Sequence, residues 1–138
     1  MAQVKFVKLE RQEKLQQLCR LADHFFQQGQ RVLLKLQDEN QAVSLDRFLW
    51  TCDKGSFLPH AFDNGSVECF QEPIVITTQE TNPNGSSVLI LGAPCSVGFL
   101  SQFEIIIDFA ETYDPVLTEK SRDRFRFYRD QGFNPAMY

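Results

Sequence analysis

Arg122, Phe125, Arg126 and Arg129 stand at i, i+3, i+4 and i+7, the spacing that gathers residues on one face of a helix. An aromatic ring set between guanidinium groups suits a peptide that offers carboxylates together with an apolar side chain. A planar guanidinium grips a carboxylate through two N–H donors, and the ring takes the side chain. Between Lys120 and Arg129, five of the chain's fourteen cations face a single acid, Asp123. The same spacing also describes a solvated basic face with Phe125 turned into the core. With 18 Asp plus Glu against 14 Lys plus Arg the chain carries −4. No global positive field draws it onto nucleic acid, and any anion binding is local.

Other chemistry finds little support. His24 and His60 are the two histidines and form no metal-binding pair; His24 reads as a structural residue beside Phe25, and His60 as one that touches a partner. Gly92-Ala-Pro-Cys-Ser-Val-Gly98 has the small residues of a phosphate or nucleophile loop, but Pro94 removes a donor and no helix signal follows, so it reads as an irregular connection. No histidine lies near Cys95 or Ser96 in sequence to activate either one. The turn Glu10-Arg-Gln-Glu13 lacks glycine and carries two acids where a phosphate cradle would need backbone N–H groups. Asp38-Glu39 and Glu10/Glu13 read as caps and solvated faces. No cofactor, metal or catalytic residue is expected. Cys19, Cys52, Cys69 and Cys95 are scattered, without a C-x-x-C pair, and read as structural thiols. The start Met1-Ala-Gln-Val-Lys5 lacks the apolar core of a signal peptide and no run is long enough to span a bilayer, so a cytoplasmic protein with reduced thiols is expected.

The elements that must position these residues follow from periodicity. A chain of 138 residues with 43% hydrophobic content and 13 Phe makes one domain, residues 1–138, with a substantial core. Alternation over Gln3–Leu9 predicts a strand, and Leu15, Leu18, Cys19, Ala22, Phe25 and Phe26, closed by Gly29, predict a helix over 12–28. Arg31–Leu36 reads as the second, parallel strand of a βαβ unit. Asp38 is a plausible N-cap for a second helix that ends before Asp53. Ser56–His60 reads as an edge strand or extended loop interrupted by Pro59. Ile74–Thr77, Val88–Leu91 and Phe103–Phe109 read as buried strands. Asp114-Pro115 opens a helix that Gly132 stops, followed by a short tail. The sum is an α/β fold: a single three-layer domain, a mostly parallel central sheet flanked by helices, with the C-terminal helix packed on the sheet.

Two blocks carry a family resemblance. Arg122-Asp-Arg-Phe-Arg-Phe-Tyr-Arg-Asp-Gln-Gly-Phe-Asn134 resembles the C-terminal signature of the chi subunit of bacterial DNA polymerase III, an Arg/aromatic/basic helix running into Tyr-Arg-x-x-Gly-Phe-Asn. Gly29-Gln-Arg-Val-Leu-Leu, Asp38-Glu-Asn-Gln-Ala42, Leu45-Asp46, Leu49-Trp50 and Ser56-Phe-Leu-Pro-His60 are similar to that family's helix, strand, helix and F-x-P-H region, in the same order. The resemblance is weak between about Asp63 and Leu100.

The resemblance implies a non-catalytic clamp-loader accessory protein. It pairs with a psi-type subunit, binds the acidic C-terminal tail of single-stranded DNA-binding protein, and so links a polymerase to coated DNA. Carried over by position, the tail-binding residues are Arg122, Phe125 and Arg126, flanked by Arg129, Gly132 and Phe133. Arg124 and Lys120 become rim charges that speed encounter. The psi-type partner surface maps onto Trp50, Phe57 and Pro59 with His60 nearby, and a helicase is the second partner to consider for that aromatic surface. Where the family commonly shows Tyr then Lys, this chain has Phe125 and Arg126. Thr118 replaces a basic residue one turn ahead of Arg122. The competing readings are an α/β nucleotide-dependent enzyme lacking recognisable phosphate loops, and a module binding single-stranded DNA directly through the basic helix, which the net acidity disfavours.

Overall fold

The apolar runs of the middle third build the centre of a parallel sheet. The computed structural model describes residues 2–51, 58–64 and 71–138. In chain order these residues form β1 (Gln3–Leu9), α1 (Lys14–Gln27), β2 (Val32–Lys35), α2 (Glu39–Thr51), β3 (His60–Phe62), β4 (Ile74–Thr77), β5 (Val88–Leu91), α3 (Val97–Leu100), β6 (Ile105–Glu111), α4 (Pro115–Asp130) and β7 (Asn134–Met137). The sheet order is β3-β4-β2-β5-β6-β1-β7, and every neighbouring pair is parallel. A parallel sheet covered on both sides needs strands that are apolar on both faces, which is why β2, β4 and β5 are buried along their whole length rather than alternating.

Two helical layers provide the cover. Val32, Leu34, Ile74, Ile76, Val88, Ile90, Ile107 and Phe109 pack under α1 and α2 through Leu18, Ala22, Phe25, Ala42, Leu45 and Leu49. On the opposite face Val4, Phe6, Leu33, Val75, Leu89 and Ile106 meet α3 and α4 through Phe99, Leu100 and Tyr128. This is the three-layer α/β arrangement read from the sequence, with the C-terminal helix on the sheet. The punctuation is also as expected. Asp38 Oδ1 accepts from the Gln41 N–H at 2.9 Å, and Asp114 Oδ1 accepts from Val116 and Leu117 at 2.8 and 3.1 Å with Pro115 at the first helical position. Gly29 and Gly132 follow their helices at φ +77° and +90°, backbone that favours glycine.

Five expectations need correction. The strands β1 and β2 run parallel but are not neighbours, since β5 and β6 lie between them. A crossover helix fixes strand direction, not adjacency. The segment after Gly92 does lead into a helix: Val97–Leu100 is a single turn capped by Ser96, too short for hydrophobic periodicity to reveal. The C-terminal tail is a strand, β7, paired with β1 from Gln3↔Asn134 to Phe6↔Met137. Its sequence Asn-Pro-Ala-Met is polar and contains Pro, which an edge strand tolerates and which hides it from a strand pattern. Cys19 is buried as expected but disulfide-bonded rather than a free thiol. The strand placed at Phe103–Phe109 runs instead from Ile105 to Glu111, Phe103 being a core residue ahead of it. Phe57, Cys52 and Cys69 lie outside the described residues.

Candidate functional site

Helix α4 divides its residues between sheet and solvent with helical spacing. Ser121 and Tyr128 are buried and Phe125 is half-buried, its ring 5.3 Å from Phe6. Arg122, Arg126 and Arg129 point outward. Where α4 rests on β1 and β6, beside the end of β7, the surface opens into a cavity of about 360 Å³. Phe6, Ala110, Phe125 and Met137 supply its apolar lining, Thr112, Thr118 and Ser121 border it, and Arg122 and Lys8 add one cation each. The Thr118 hydroxyl is already engaged, donating toward the carbonyls of Glu111 at 3.0 Å and Asp114 at 2.8 Å. An apolar pocket with two cations at its edge offers separate places for an apolar side chain and a carboxylate.

Of the residues selected on α4 and its turn, the structure gathers Arg122 and Phe125 at this cavity. Arg126 is one helical turn beyond Arg122, in the solvent, with Nη1 3.3 Å from Asp123 Oδ1 and 4.0 Å from Glu119 Oε1. Arg129 is exposed and outside the cavity lining, Gly132 forms the helix-stopping turn, and Phe133 is buried against Tyr128. Sequence reasoning missed Lys8 and Met137. Lys8 alternates with Phe6 and Val4 on one face of β1, so the signal existed, but it pointed to the cavity only once α4 was known to cover that face.

Arg124 is not the rim charge the sequence suggested. Its Nε donates to Asp108 Oδ2 at 3.0 Å and its Nη2 to the Phe109 carbonyl at 2.9 Å. The Asp108 side chain is 6% exposed and also accepts from Tyr128 Oη at 2.6 Å and from the Phe109 N–H at 2.7 Å. Burial and the neighbouring Asp108 charge push the Tyr128 hydroxyl pKa well up, so it stays a donor. This cluster fastens α4 to the sheet, and a core partner draws Arg124 inward that no local pattern announces.

The second candidate surface lies at the opposite sheet edge. Trp50, near the end of α2, is 54% exposed, and its ring sits 4.8 Å from that of His60 on β3. The His60 side chain is fully enclosed, with Nδ1 2.7 Å from the Leu58 carbonyl and Nε2 3.0 Å from Asp46 Oδ1. His60 therefore supports Trp50 from beneath and is not itself a contact residue. Pro59 is half-buried next to it.

The crevice beyond the C-terminal ends of the central strands, where folds of this kind usually hold ligands, is fitted with internal partners. Lys14 Nζ lies 3.5 Å from Glu111 and 3.4 Å from the Gly92 carbonyl. The Gly92 N–H donates to the Lys35 carbonyl at 2.7 Å, an approach so close that a Cβ would sit 3.0 Å from that oxygen. Glu80 accepts from the Ser96 N–H at 2.8 Å and from its hydroxyl at 2.5 Å, bonds that lower the Glu80 pKa and occupy the Ser96 oxygen. Burial pushes the Cys95 thiol up to about 11, opposite to what a nucleophile requires. Among the described residues no cluster of His, Cys, Asp and Glu could hold a metal ion, and no helix is long and apolar enough to cross a membrane.

Comparison with known proteins bears on these surfaces. The family model described as DNA polymerase III chi subunit, HolC, matches residues 1–136. The chain is 34% identical to the DNA polymerase III subunit chi of Pseudomonas aeruginosa, over 87% of this chain and 82% of that one. It is 29% identical to the Escherichia coli subunit, over 86% and 80%, and 32% identical to that of Haemophilus influenzae, over 84% and 80%. In structure it is similar to the C-terminal domain of S. cerevisiae Dbp5, solved bound to Gle1 and IP6. The TM-score is 0.65 at 10% identity, covering 99% of this chain and 90% of that one, a likeness of fold alone.

Proposed function

We propose, from the premise that this chain belongs to the DNA polymerase III chi subunit family, that it is the adaptor joining that polymerase to DNA coated with single-stranded DNA-binding protein. Membership makes it an accessory subunit in DNA replication, without a catalytic role of its own. In the proposed reading the cavity beside α4 takes the acidic C-terminal tail of the single-stranded DNA-binding protein, and the Trp50 surface takes a psi-type clamp-loader subunit.

One observation carries the tail assignment: an apolar cavity of about 360 Å³ has Phe125 in its wall and Arg122 at its edge. A peptide terminus presents a carboxylate and a side chain from a single Cα, so its receptor needs a cation and an apolar pocket within a few ångströms of each other. Arg126, one turn on and exposed, is placed to meet an acid earlier in the tail, and Arg129, farther from the cavity, to speed encounter. Phe133 and Gly132 contribute by shaping the end of α4.

The psi-type assignment rests on Trp50. At 54% exposure its ring is open to a partner, and residues of this type carry much of the energy of protein interfaces. Pro59 would extend that contact, as would Phe57, and a helicase binding the same aromatics would compete with the psi-type subunit.

The test is fluorescence anisotropy of a labelled acidic peptide ending in Phe with a free carboxylate, titrated with wild type and Arg122→Ala at two salt concentrations. Salt-sensitive binding lost in the variant is the expected result. Absence of binding by wild type refutes the tail assignment. For the second surface, Trp50→Ala should keep its fold and fail to co-purify with a psi-type subunit; an unfolded variant would instead make Trp50 a core residue.

A further inference from the structure

The cavity has two basic walls, and only one belongs to the helix. Lys8 on β1 is in register with Ala110 of β6 and lines the same cavity as Arg122. One turn ahead of Arg122 stands Thr118, whose hydroxyl is spent on two backbone carbonyls. The helix therefore offers no second cation on that side of the cavity, while the neighbouring strand does. At rest the basic groups are paired to nearby acids. Lys8 Nζ is 3.3 Å from Glu10 Oε1, Arg122 Nη1 is 3.6 Å from Glu119 Oε2, and Arg126 Nη1 is 4.0 Å from Glu119 Oε1. All these side chains are more than half exposed, so the pairs are weak and an incoming carboxylate can replace them.

We propose that Lys8 and Arg122 form a two-element clamp for a peptide's terminal carboxylate, and that Glu119 is the internal anion competing with that carboxylate for Arg122 and Arg126. This inference rests on the tail-binding reading above and names the groups that set its selectivity. A carboxylate attached to the same Cα as a side chain seated on Phe6 and Phe125 lies between a cation from the strand and one from the helix. An acidic side chain earlier in the peptide cannot fill the apolar pocket and reach both cations from one Cα. The clamp thus selects a terminus over an internal acid. Glu119, touching both arginines, lowers affinity for every acidic ligand and keeps the empty site from attracting anions indiscriminately.

The experiment compares two labelled acidic peptides ending in Phe, one with a free C-terminal carboxylate and one amidated, against wild type, Arg122→Ala, Lys8→Gln and Glu119→Gln. Glu104→Gln, the same charge change just before β6 at the opposite end of that strand, is the control. Lys8→Gln should weaken the free-acid peptide roughly tenfold and the amidated peptide far less, the difference expected of one lost charge-assisted contact. Glu119→Gln should tighten the free-acid peptide roughly threefold, within the range of a weak exposed pair, while Glu104→Gln leaves it nearly unchanged. Wild type and Arg122→Ala test the underlying reading, and no binding by wild type overturns both. If wild type binds and Arg122→Ala does not, equal affinity of Lys8→Gln and wild type overturns the clamp alone. Glu119→Gln no tighter than Glu104→Gln overturns the competitor.

Discussion

Replacing Arg124 by Met should cost about 3 kcal/mol of stability, while Arg122→Ala, two residues earlier on the same helix, should cost under about 0.5 kcal/mol. The Arg124 side chain is 24% exposed, and its guanidinium meets Asp108 Oδ2 at 3.0 Å and the Phe109 carbonyl at 2.9 Å. Met keeps the unbranched stem but leaves Asp108, a nearly buried carboxylate, without its counter-charge. Breaking a buried pair from one side costs roughly 3–5 kcal/mol, and partial exposure of Arg124 places this case near the lower bound. Tyr128 Oη and the Phe109 N–H still donate to Asp108, which holds the cost down further. Arg122 is 65% exposed and pairs with Glu119, three residues earlier, at 3.6 Å, an exposed ion pair worth little. Urea unfolding followed by circular dichroism reads both variants, and for a chain of this length about 3 kcal/mol corresponds to a fall of roughly 10 °C in Tm. Adding Asp108→Asn to Arg124→Met removes the orphaned charge and keeps an acceptor for Tyr128, so the double variant should recover part of the loss. Arg124→Met as stable as wild type, or a double variant no better than the single one, would refute the role given to this cluster.

Three further outcomes follow from the crevice around Gly92. Gly92→Ala should destabilise by roughly 1–2 kcal/mol in the same unfolding assay, because the added Cβ meets the Lys35 carbonyl at 3.0 Å and backbone cannot rotate away. Glu80 has a carboxyl pKa held below its ordinary 4.5 by its bonds to Ser96, so the stabilisation it gives is present above pH 4.5 and is lost as pH falls through the lowered value. The Tm difference between wild type and Glu80→Gln should therefore persist at neutral pH and vanish in strong acid. Cys95, with its thiol near 11, should carry a thiolate fraction of about one in a thousand at pH 8, and site-resolved alkylation should be slow there and accelerate with pH.

What the sequence revealed depended on whether a signal was local. The buried strands Ile74–Thr77 and Val88–Leu91, the α4 cap at Asp114 and the stop at Gly132 are written in neighbouring residues and were legible at those positions. Strand adjacency is not local. Nothing between Gln3 and Leu36 says that β5 and β6 will enter between β1 and β2. Likewise Arg122 and Arg124 look alike in a basic run, and only the position of Asp108 on β6 decides that one stays in solvent while the other turns inward. Lys8 shares a face of β1 with Val4 and Phe6, but its membership of a cavity exists only after α4 lies across β1. Trp50 was legible as a special residue but not as an exposed one, because a tryptophan at a helix end is equally compatible with a core cap.

The two candidate surfaces occupy different layers and opposite ends of one sheet. Trp50 belongs to the α1/α2 side next to β3, whereas the cavity lies on the α3/α4 side at β1, five strand spacings away. At about 4.8 Å per step that is roughly 24 Å, some three Debye lengths at physiological ionic strength. Charges around Arg122 are thus screened from a partner seated on Trp50, and the intervening strands β4, β2, β5 and β6 are buried parallel pairs that resist deformation. Such a body transmits force between two partners without making the affinity of one depend on the other. In the proposed reading that independence is what an adaptor needs, since it would keep its polymerase-side partner while an acidic tail associates and releases. The single cluster joining Arg124, Asp108 and Tyr128 then matters because it holds α4, and with it one wall of the cavity, at a fixed height on the sheet.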